Sequence, residues 1–227
     1  MRRLGVLGGT FDPIHFGHLD AADAARSALT LDEVLFLPAH DSPLRPAQPY
    51  ASAFHRFAMV ALAIDRAPAY RLSDLELVRQ GRSYTVNTLR AIHGAGWQPS
   101  QIFFILGADA FAEIAAWHAY PAVLDAAHFA VIARPGMRIE TALARNPDVQ
   151  ARIRPAAASA ETGDGTGIFL VQAHTRDVSS TSVRGRLSAR ESVSDLVPSS
   201  VTRYIAAHHL YQREDDLHGD DKDKQGR

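Results

Sequence analysis

The chain has 227 residues, 46% of them hydrophobic, which fits one domain, or one domain with a small insertion, around a sizeable core. Its formal net charge of -1 excludes a general electrostatic attraction to nucleic acid or to an anionic membrane, so any phosphate binding must be local. Cysteine is absent, which excludes disulfides, thiolate metal sites and cysteine nucleophiles.

The first predicted elements are a strand, a loop and a helix. Residues 4–7 are apolar and end in glycines, and Leu19, Ala22 and Leu29 then recur at helical spacing. The early glycines and Asp12 interrupt the apolar run too soon for the core of an export signal, and no later run approaches the ~20 residues of a membrane span. We therefore expect a cytoplasmic protein with no membrane partner.

The same alternation continues along the chain. We predict further strands at 34–37, 70–78, 102–106, 129–133 and 168–171, and further helices at 54–63, 85–93, 110–117, 181–187 and 198–209. Strands that alternate with helices in this way predict an α/β fold, a Rossmann-like doubly wound parallel sheet with helices on both faces. Ligands bind such sheets at the carboxyl ends of the strands.

Two stretches depart from this rhythm. Between about 137 and 167 the pattern weakens and contains prolines and glycines, which predicts a surface excursion. We predict one domain over 1–211, followed by a charged tail over 212–227 that has almost nothing to bury. The composition of the tail favours a disordered, solvated end, with docking on a partner as the alternative.

The most informative segment is 8–18, with the sequence GGTFDPIHFGH, between the first strand and the first helix. Glycines let backbone amides approach phosphate oxygens, and a helix start offers free N–H groups and the positive end of its dipole. His15 and His18 are three residues apart, so both can face one ligand and donate to a phosphoryl group. The alternatives are a plain tight turn for the glycines and a structural hydrogen bond or helix cap for each histidine. A zinc site is disfavoured because no third ligand lies nearby.

A second segment, 179–184 with the sequence SSTSVR, follows a late strand and opens a helix. Hydroxyl groups at a helix start cap the helix and also bind phosphates. Arg184 lies about one turn from Ser180, where its guanidinium can make bidentate contacts to a triphosphate. Taken alone, this segment is most often an ordinary helix cap with a surface arginine.

Together the two segments resemble the GxFDPxHxGH and SSTxxR signatures of the nucleotidylyltransferase superfamily. From Gly5 to about Tyr211 the chain resembles its bacterial nicotinate-nucleotide adenylyltransferase family. The segment SYTVNTL at 83–89, the GAD turn at 107–109, the RPG turn at 134–136 and the position of Trp117 carry this resemblance.

The resemblance implies a role for each matching residue. It implies that Thr85 and Trp117 hold a nicotinate ring, that Asp109 contacts a nucleotide, and that His15, His18 and Arg184 act on the ATP phosphates. The remaining implied substrate-binding residues are Gly8, Gly9, Thr10, Phe11, Arg45, Arg134, Ser180 and Thr181. Without the family pattern, Thr85 and Asp109 are equally well explained as helix caps, Trp117 as a core residue and Arg134 as a surface turn residue.

One loop departs from the family pattern. Residues 42–45 read SPLR, where the family more often has Pro-Pro-His followed by Lys or Arg. Arg45 keeps the cation, whereas Leu44 replaces the imidazole, and His40 is an unaligned candidate to replace it.

The predicted activity is transfer of the adenylyl group of ATP to nicotinate mononucleotide, with Mg²⁺ as the counterion of ATP and no protein metal ligand. The alternatives are another acceptor, phosphopantetheine or nicotinamide mononucleotide, and a nucleotide-binding regulator without catalysis. An RNA-binding protein is disfavoured because the sequence has no basic stripe. We therefore expect no nucleic-acid partner.

Overall fold

Seven parallel strands form one sheet at the centre of the described part of the chain. The computed structural model describes residues 1–43, 48–79, 81–133, 143–155 and 165–212. The strands are β1 (Leu4–Gly9), β2 (Glu33–Pro38), β3 (Tyr70–Leu72), β4 (Ile102–Gly107), β5 (His128–Ala133), β6 (Ile153–Arg154) and β7 (Ile168–Gln172). Their order in the sheet is β3-β2-β1-β4-β5-β7-β6, and every pairing is parallel.

Helices connect these strands and cover the sheet. They are α1 (Phe16–Leu29), α2 (Ala53–Ile64), α3 (Leu75–Arg79), α4 (Thr85–Gly94), α5 (Ala108–Ala112), α6 (Ser180–Ser188) and α7 (Ser199–Ala207). Short 3-10 turns lie at Pro99–Gln101, Ile114–Ala116, Ala122–Asp125 and Pro147–Arg152. None of the helices in the described ranges is both long and apolar enough to cross a membrane.

The core consists of two layers, one on each face of the sheet. On one face, apolar stripes of α1, α2, α6 and α7 pack on the sheet through residues such as Ala25, Met59, Val183 and Val201. On the other face, α4, α5 and the 3-10 turns pack through a second cluster. Because both faces are covered, the strands are almost continuously apolar, as parallel sheets require. The prediction of a doubly wound α/β sheet is confirmed.

The direction in which the chain winds reverses at the junction of β1 and β4. From β1 the chain moves through β2 to β3 at one edge, and it then returns to β4 on the other side of β1. Loops that leave β1 and β4 therefore diverge to opposite faces and open a crevice at the carboxyl ends of these strands. The sheet order places the ligand site there.

Three of the sequence predictions for single elements were wrong in part. The strand predicted at 70–78 ends at Leu72, because the Ser73 hydroxyl accepts the N–H of Leu75 and starts α3. The helix predicted at 110–117 begins earlier, at Ala108, and gives way to a 3-10 turn at Ile114–Ala116. The predicted surface excursion includes β6 and the fully buried Val149, so part of it belongs to the core.

Candidate active site

A cavity of about 550 Å³ lies at the carboxyl ends of β1 and β4, where the sheet order predicts a ligand site. It joins the two motifs found in the sequence. Of the predicted site residues, its wall includes Gly8, Gly9, Thr10, Phe11, His18, Thr85, Asp109, Trp117 and Ser180. His15, Thr181 and Arg184 lie outside this wall.

The two glycines of the first motif lie in strand β1 and not in a turn. Gly8 and Gly9 pair with Leu37 and Pro38, which corrects the alternative of a tight glycine turn. The chain turns instead at Phe11, which has a φ of 51° and a ring only 1% exposed. A Cβ atom on Gly9 would lie 3.1 Å from that ring. A side chain at position 9 would therefore crowd the Phe11 ring, which packs back on the strand at the left-handed turn.

The two histidines of the motif lie together, as predicted, but only one of them reaches the cavity. Their rings stack with centroids 3.7 Å apart, and the ring of Phe11 packs on His18 at 5.0 Å. His15 is 2% exposed and lies behind His18. His18 Nδ1 accepts the backbone N–H of His15 at 3.2 Å. In the neutral ring the proton is therefore on Nε2, which is the donor nitrogen of this imidazole.

Helix α1 begins directly after His15, which occupies the N-cap position. The first amides of the helix are partly used within the protein, because the N–H of Phe16 donates to the carbonyl of Leu196 at 2.9 Å. Gly17 and His18, in the same first turn, line the cavity. A Cβ atom on Gly17 would lie 3.1 Å from His15 Nδ1 and 3.1 Å from Val178, so a side chain here would crowd the buried imidazole.

Two hydrogen bonds join the second motif to the first. The Ser180 hydroxyl donates to the carbonyl of Pro13 at 2.9 Å, and Arg184 Nη1 donates to the carbonyl of Asp12 at 2.7 Å. Arg184 Nη2 also donates to Thr181 Oγ1 at 3.2 Å. Ser179 caps α6, as its sequence suggests, and Ser180 lines the cavity. The segment is therefore both a helix cap, through Ser179, and a part of the cavity wall, through Ser180.

The SYT segment and Trp117 form the opposite end of the cavity. Thr85 is the first residue of α4, while the N-cap position belongs to Tyr84, so Thr85 is not a helix cap. Trp117 packs its ring edge-on against Phe104 at 6.0 Å and also lines the cavity, so it serves both the core and the site. Its buried Nε1–H has no acceptor among the described residues. A flat ligand ring with a polar substituent suits this end of the cavity.

Asp109 lines the cavity from the first turn of α5. The N-cap of this helix is Gly107, which rules out a capping role for Asp109. A Cβ atom on Gly107 would collide with the Asp109 carboxylate, so the glycine allows this side chain to fold over the end of β4. The carboxylate is therefore placed to accept hydrogen bonds from a ligand hydroxyl group.

Asp12 belongs to the first motif, but its role is apparent only in the structure. Asp12 is 5% exposed, and its carboxylate accepts the N–H groups of Tyr50 at 2.8 Å and Ala51 at 3.0 Å. Arg184 Nη1 lies 4.0 Å from its Oδ2 atom. The loop that precedes α2 is thus held on the phosphate-binding motif by one buried carboxylate.

A second residue missed in the sequence is Arg56, which is 1% exposed. Its guanidinium donates to the carbonyls of Thr10 at 2.7 Å, Ala39 at 2.7 Å and Ala51 at 3.3 Å. Burial lowers its pKa from the ordinary value, and the negative charge of Asp12 opposes that shift. The available signal was a charged residue on the apolar stripe of α2, in register with Met59 and Val60.

Further polar residues line the same cavity as Thr85 and Trp117, and no local sequence pattern predicts them as site residues. Glu76 is 7% exposed and accepts the Thr88 hydroxyl at 2.5 Å. Tyr84 and His118 face each other with ring centroids 4.4 Å apart, and both line the cavity. These side chains come from three separate segments, which only the fold brings together.

The predicted site residues Arg45 and Arg134 lie outside the described residues, as does Leu44. Within the described ranges, no group of three or more His, Asp or Glu side chains is arranged to hold a metal ion.

A phosphate-binding loop at the switch point of a parallel sheet, joined to a late serine-rich helix start, defines a nucleotidyltransferase site. The Cytidylyltransferase-like family model matches residues 6–186.

Two curated relatives are each named a probable nicotinate-nucleotide adenylyltransferase. The protein from Trichlorobacter lovleyi is 39% identical, over 92% of this chain and 99% of its own. That from Symbiobacterium thermophilum is 38% identical, over 97% of this chain and 100% of its own. The chain therefore belongs to the nicotinate-nucleotide adenylyltransferase family, within the Cytidylyltransferase-like proteins.

Solved structures agree with this assignment at the level of the fold. The nicotinic acid mononucleotide adenylyltransferase of Plasmodium falciparum, complexed with APC, superposes with a TM-score of 0.68. It is 18% identical and covers 93% of this chain and 98% of its own. The same enzyme complexed with NaAD superposes with a TM-score of 0.67.

Proposed function

We infer that the chain transfers the adenylyl group of ATP to nicotinate mononucleotide, giving nicotinic acid adenine dinucleotide and pyrophosphate in NAD biosynthesis. One observation carries this conclusion. A single cavity joins the phosphate-binding motif around His18 to a flat-ring site at Thr85 and Trp117. A polyphosphate and a nucleotide with a planar ring can therefore lie end to end in it.

The reaction needs no protein nucleophile. A phosphate oxygen of nicotinate mononucleotide attacks the α-phosphorus of ATP and forms a new P–O bond, while the bond from that phosphorus to the bridging oxygen of the β-phosphate breaks. The electron pair of the broken bond leaves with pyrophosphate. Because a nucleotide phosphate is already largely ionised near neutral pH, no general base is required. The protein contributes alignment and stabilisation of charge.

The phosphate end of the site carries the proposed catalytic groups. His18 donates from Nε2 to the pentacoordinate phosphoryl group, and His15 holds the His18 ring by stacking behind it. Arg184, Ser180 and Thr181 bind the leaving pyrophosphate. The observation that supports these roles is the pair of hydrogen bonds from the second motif to the first, at Pro13 and Asp12.

The remaining roles concern substrate binding. Thr85 and Trp117 hold the nicotinate ring, Asp109 contacts a nucleotide hydroxyl group, and Gly8, Gly9, Thr10 and Phe11 line the phosphate path. For Arg45 and Arg134 we propose contacts with substrate phosphates, on the family pattern alone. Mg²⁺ enters as the counterion of ATP and neutralises part of the phosphate charge.

The proposal also covers the extent of the catalytic domain and the cellular compartment. Residues 1–211 act as a single catalytic domain, because both motifs and both ends of the cavity fall within them. The enzyme works in the cytoplasm, since both proposed substrates are intracellular nucleotides and the chain has no cysteine for disulfides.

The test measures pyrophosphate release from ATP and Mg²⁺ with nicotinate mononucleotide, nicotinamide mononucleotide or phosphopantetheine supplied separately. We expect kcat/KM for nicotinate mononucleotide to exceed the other two by at least about 100-fold. Faster turnover with another acceptor would keep the reaction and overturn the substrate. No release with any acceptor would overturn the activity and favour a nucleotide-binding protein without catalysis.

A further inference from the structure

The last described residues return to the first motif of the chain. The Tyr211 hydroxyl donates to Asp12 Oδ1 at 2.8 Å, across 199 positions of sequence. Tyr211 itself has a φ of 64°, in the left-handed region that non-glycine residues rarely adopt. A side chain held in this backbone conformation, with its hydroxyl on a buried carboxylate, is placed for that contact.

The Asp12 carboxylate is hydrogen-bonded by neutral donors and lies near two cations, Arg184 and the buried Arg56. The Arg56 guanidinium donates to backbone carbonyls, so Arg184 is the cation relevant to pairing with Asp12. Its oxygens accept the N–H groups of Tyr50 and Ala51 at 2.8 and 3.0 Å, in addition to the Tyr211 hydroxyl. Arg184 lies at 4.0 Å, short of a close ion pair, and donates instead to the backbone carbonyl of Asp12 at 2.7 Å. The three neutral donors thus hydrogen-bond the carboxylate directly, whereas the Arg184 guanidinium does not.

It matters for the active site that Arg184 does not pair closely with Asp12. Its side chain is 17% exposed and its guanidinium lies over the exposed Tyr50 ring, 4.6 Å from the ring centroid. A close, bidentate ion pair with Asp12 would use the N–H groups that an ATP phosphate needs. A carboxylate that lost one neutral donor would gain most by drawing in this neighbouring cation.

We propose that Tyr211 is a positioning residue of the active site, whose hydroxyl occupies Asp12 and so leaves the Arg184 guanidinium available to the phosphates of ATP. This inference rests on the proposed function. Burial and the neighbouring Asp12 charge raise the pKa of Tyr211, so the hydroxyl keeps its proton and remains a donor at working pH. The end of the catalytic domain is thereby coupled to the phosphate site.

The test is Tyr211→Phe in the full chain, which removes only the hydroxyl. We expect KM for ATP and the Kd for α,β-methylene-ATP to rise about five- to tenfold, the effect of one hydrogen bond. KM for nicotinate mononucleotide and the melting temperature remain close to those of the wild type. Tyr204→Phe is the matched control, because the Tyr204 hydroxyl lies 3.0 Å from His55 Nδ1, and we expect it to leave both constants unchanged.

A double-mutant cycle with Arg184→Ala separates positioning from a general structural role. If Tyr211 acts through Arg184, removing its hydroxyl has no further effect on ATP binding in the Arg184→Ala protein. Additive losses, an unchanged ATP constant in Tyr211→Phe, or a large fall in melting temperature would each overturn the proposal. Binding of α,β-methylene-ATP is measured without an acceptor, so it tests the role of Tyr211 even if the wild-type protein does not adenylylate nicotinate mononucleotide.

Discussion

The imidazole of His18 is held on three sides before any ligand binds. Phe11 packs on its edge, His15 stacks on its face, and the His15 N–H donates to its Nδ1 atom at 3.2 Å. A donor fixed in advance costs little reorganisation when charge develops on the phosphoryl group. These three contacts come from one eight-residue stretch of the first motif, 11–18.

We predict that His18→Ala lowers kcat by about 100-fold or more, because it removes one preorganised donor to the transition state. Melting temperature should change little, since His18 lies on the cavity wall and not in the core. The measurement is the rate of pyrophosphate release at saturating ATP and nicotinate mononucleotide. His174→Ala is the control, because His174 is exposed. Turnover of His18→Ala near that of the control would remove His18 from the mechanism.

At the scale of elements, Arg56 connects three segments that meet at the site. Its guanidinium binds carbonyls in the loop after β1, at the end of β2 and just before α2. Two of these carbonyls belong to residues that line the cavity, Thr10 and Ala39, and the third belongs to Ala51, whose N–H donates to Asp12. A buried guanidinium with several donors can satisfy all three at once, which no apolar side chain does.

We predict that Arg56→Met lowers the free energy of unfolding by about 3–5 kcal/mol, because it leaves buried carbonyls and the Asp12 charge uncompensated. Arg56→Lys should recover part of this loss, since an ammonium group keeps the charge but not the planar fork. Urea unfolding measures both, with Arg66→Met, at an exposed position just after α2, as the matched control. A loss for Arg56→Met no larger than that of the control would show that the buried guanidinium contributes no net stability.

The same residues explain what the sequence could and could not predict. His15 and His18 are near neighbours on one helix turn, so their spacing alone predicts that they meet. Asp12 and Tyr211 are 199 residues apart, and no local pattern indicates their contact. Arg56 carries a local signal, but its carbonyl partners become apparent only in the fold. Local sequence patterns therefore predict the elements and the motif residues. The contacts of Asp12, Arg56 and Tyr211 that join these elements depend on tertiary packing and could not be predicted.

The strand predicted at 70–78 was wrong beyond Leu72 for a related reason. Apolar residues at Leu72, Leu75 and Leu77 suit either a strand or a short helix over so few positions. A single side-chain hydrogen bond from Leu75 N–H to Ser73 Oγ decides for the helix. In contrast, the long apolar stripes of α1 and α2 leave no such ambiguity, and both were predicted correctly.

At the scale of the whole molecule, the two ends of the sheet have different tasks. The carboxyl ends carry the cavity, whereas the amino ends of three adjacent strands are joined by His128, which is 1% exposed. Its Nδ1 accepts the N–H of Gly167, just before β7, at 2.9 Å. Its Nε2 donates to the carbonyl of Ser100, in the turn that leads into β4, at 3.2 Å. Both contacts require the neutral ring with its proton on Nε2.

Burial lowers the pKa of His128 to about 4 from an ordinary value of 6.5, with the positive charge of Arg3 acting in the same direction. Between pH 6.5 and about 4, His128 therefore binds a proton in the unfolded chain but not in the folded chain. The stability of the fold consequently falls as the pH drops through this range. The full shift corresponds to at most about 3 kcal/mol, and less where solvent screens the ring.

We predict that His128→Gln, which cannot take up a proton, makes the free energy of unfolding less dependent on pH than in the wild type. The variant loses stability at neutral pH, because an amide fits the two backbone contacts less well, so the informative quantity is the difference between pH values. Urea unfolding at about pH 7 and about pH 4.5 measures it, with exposed His174→Gln as the control that keeps the wild-type difference. An acid-induced loss as large in His128→Gln as in the wild type would assign that loss to other groups and would leave the amino ends of the strands without a pH-sensitive contact.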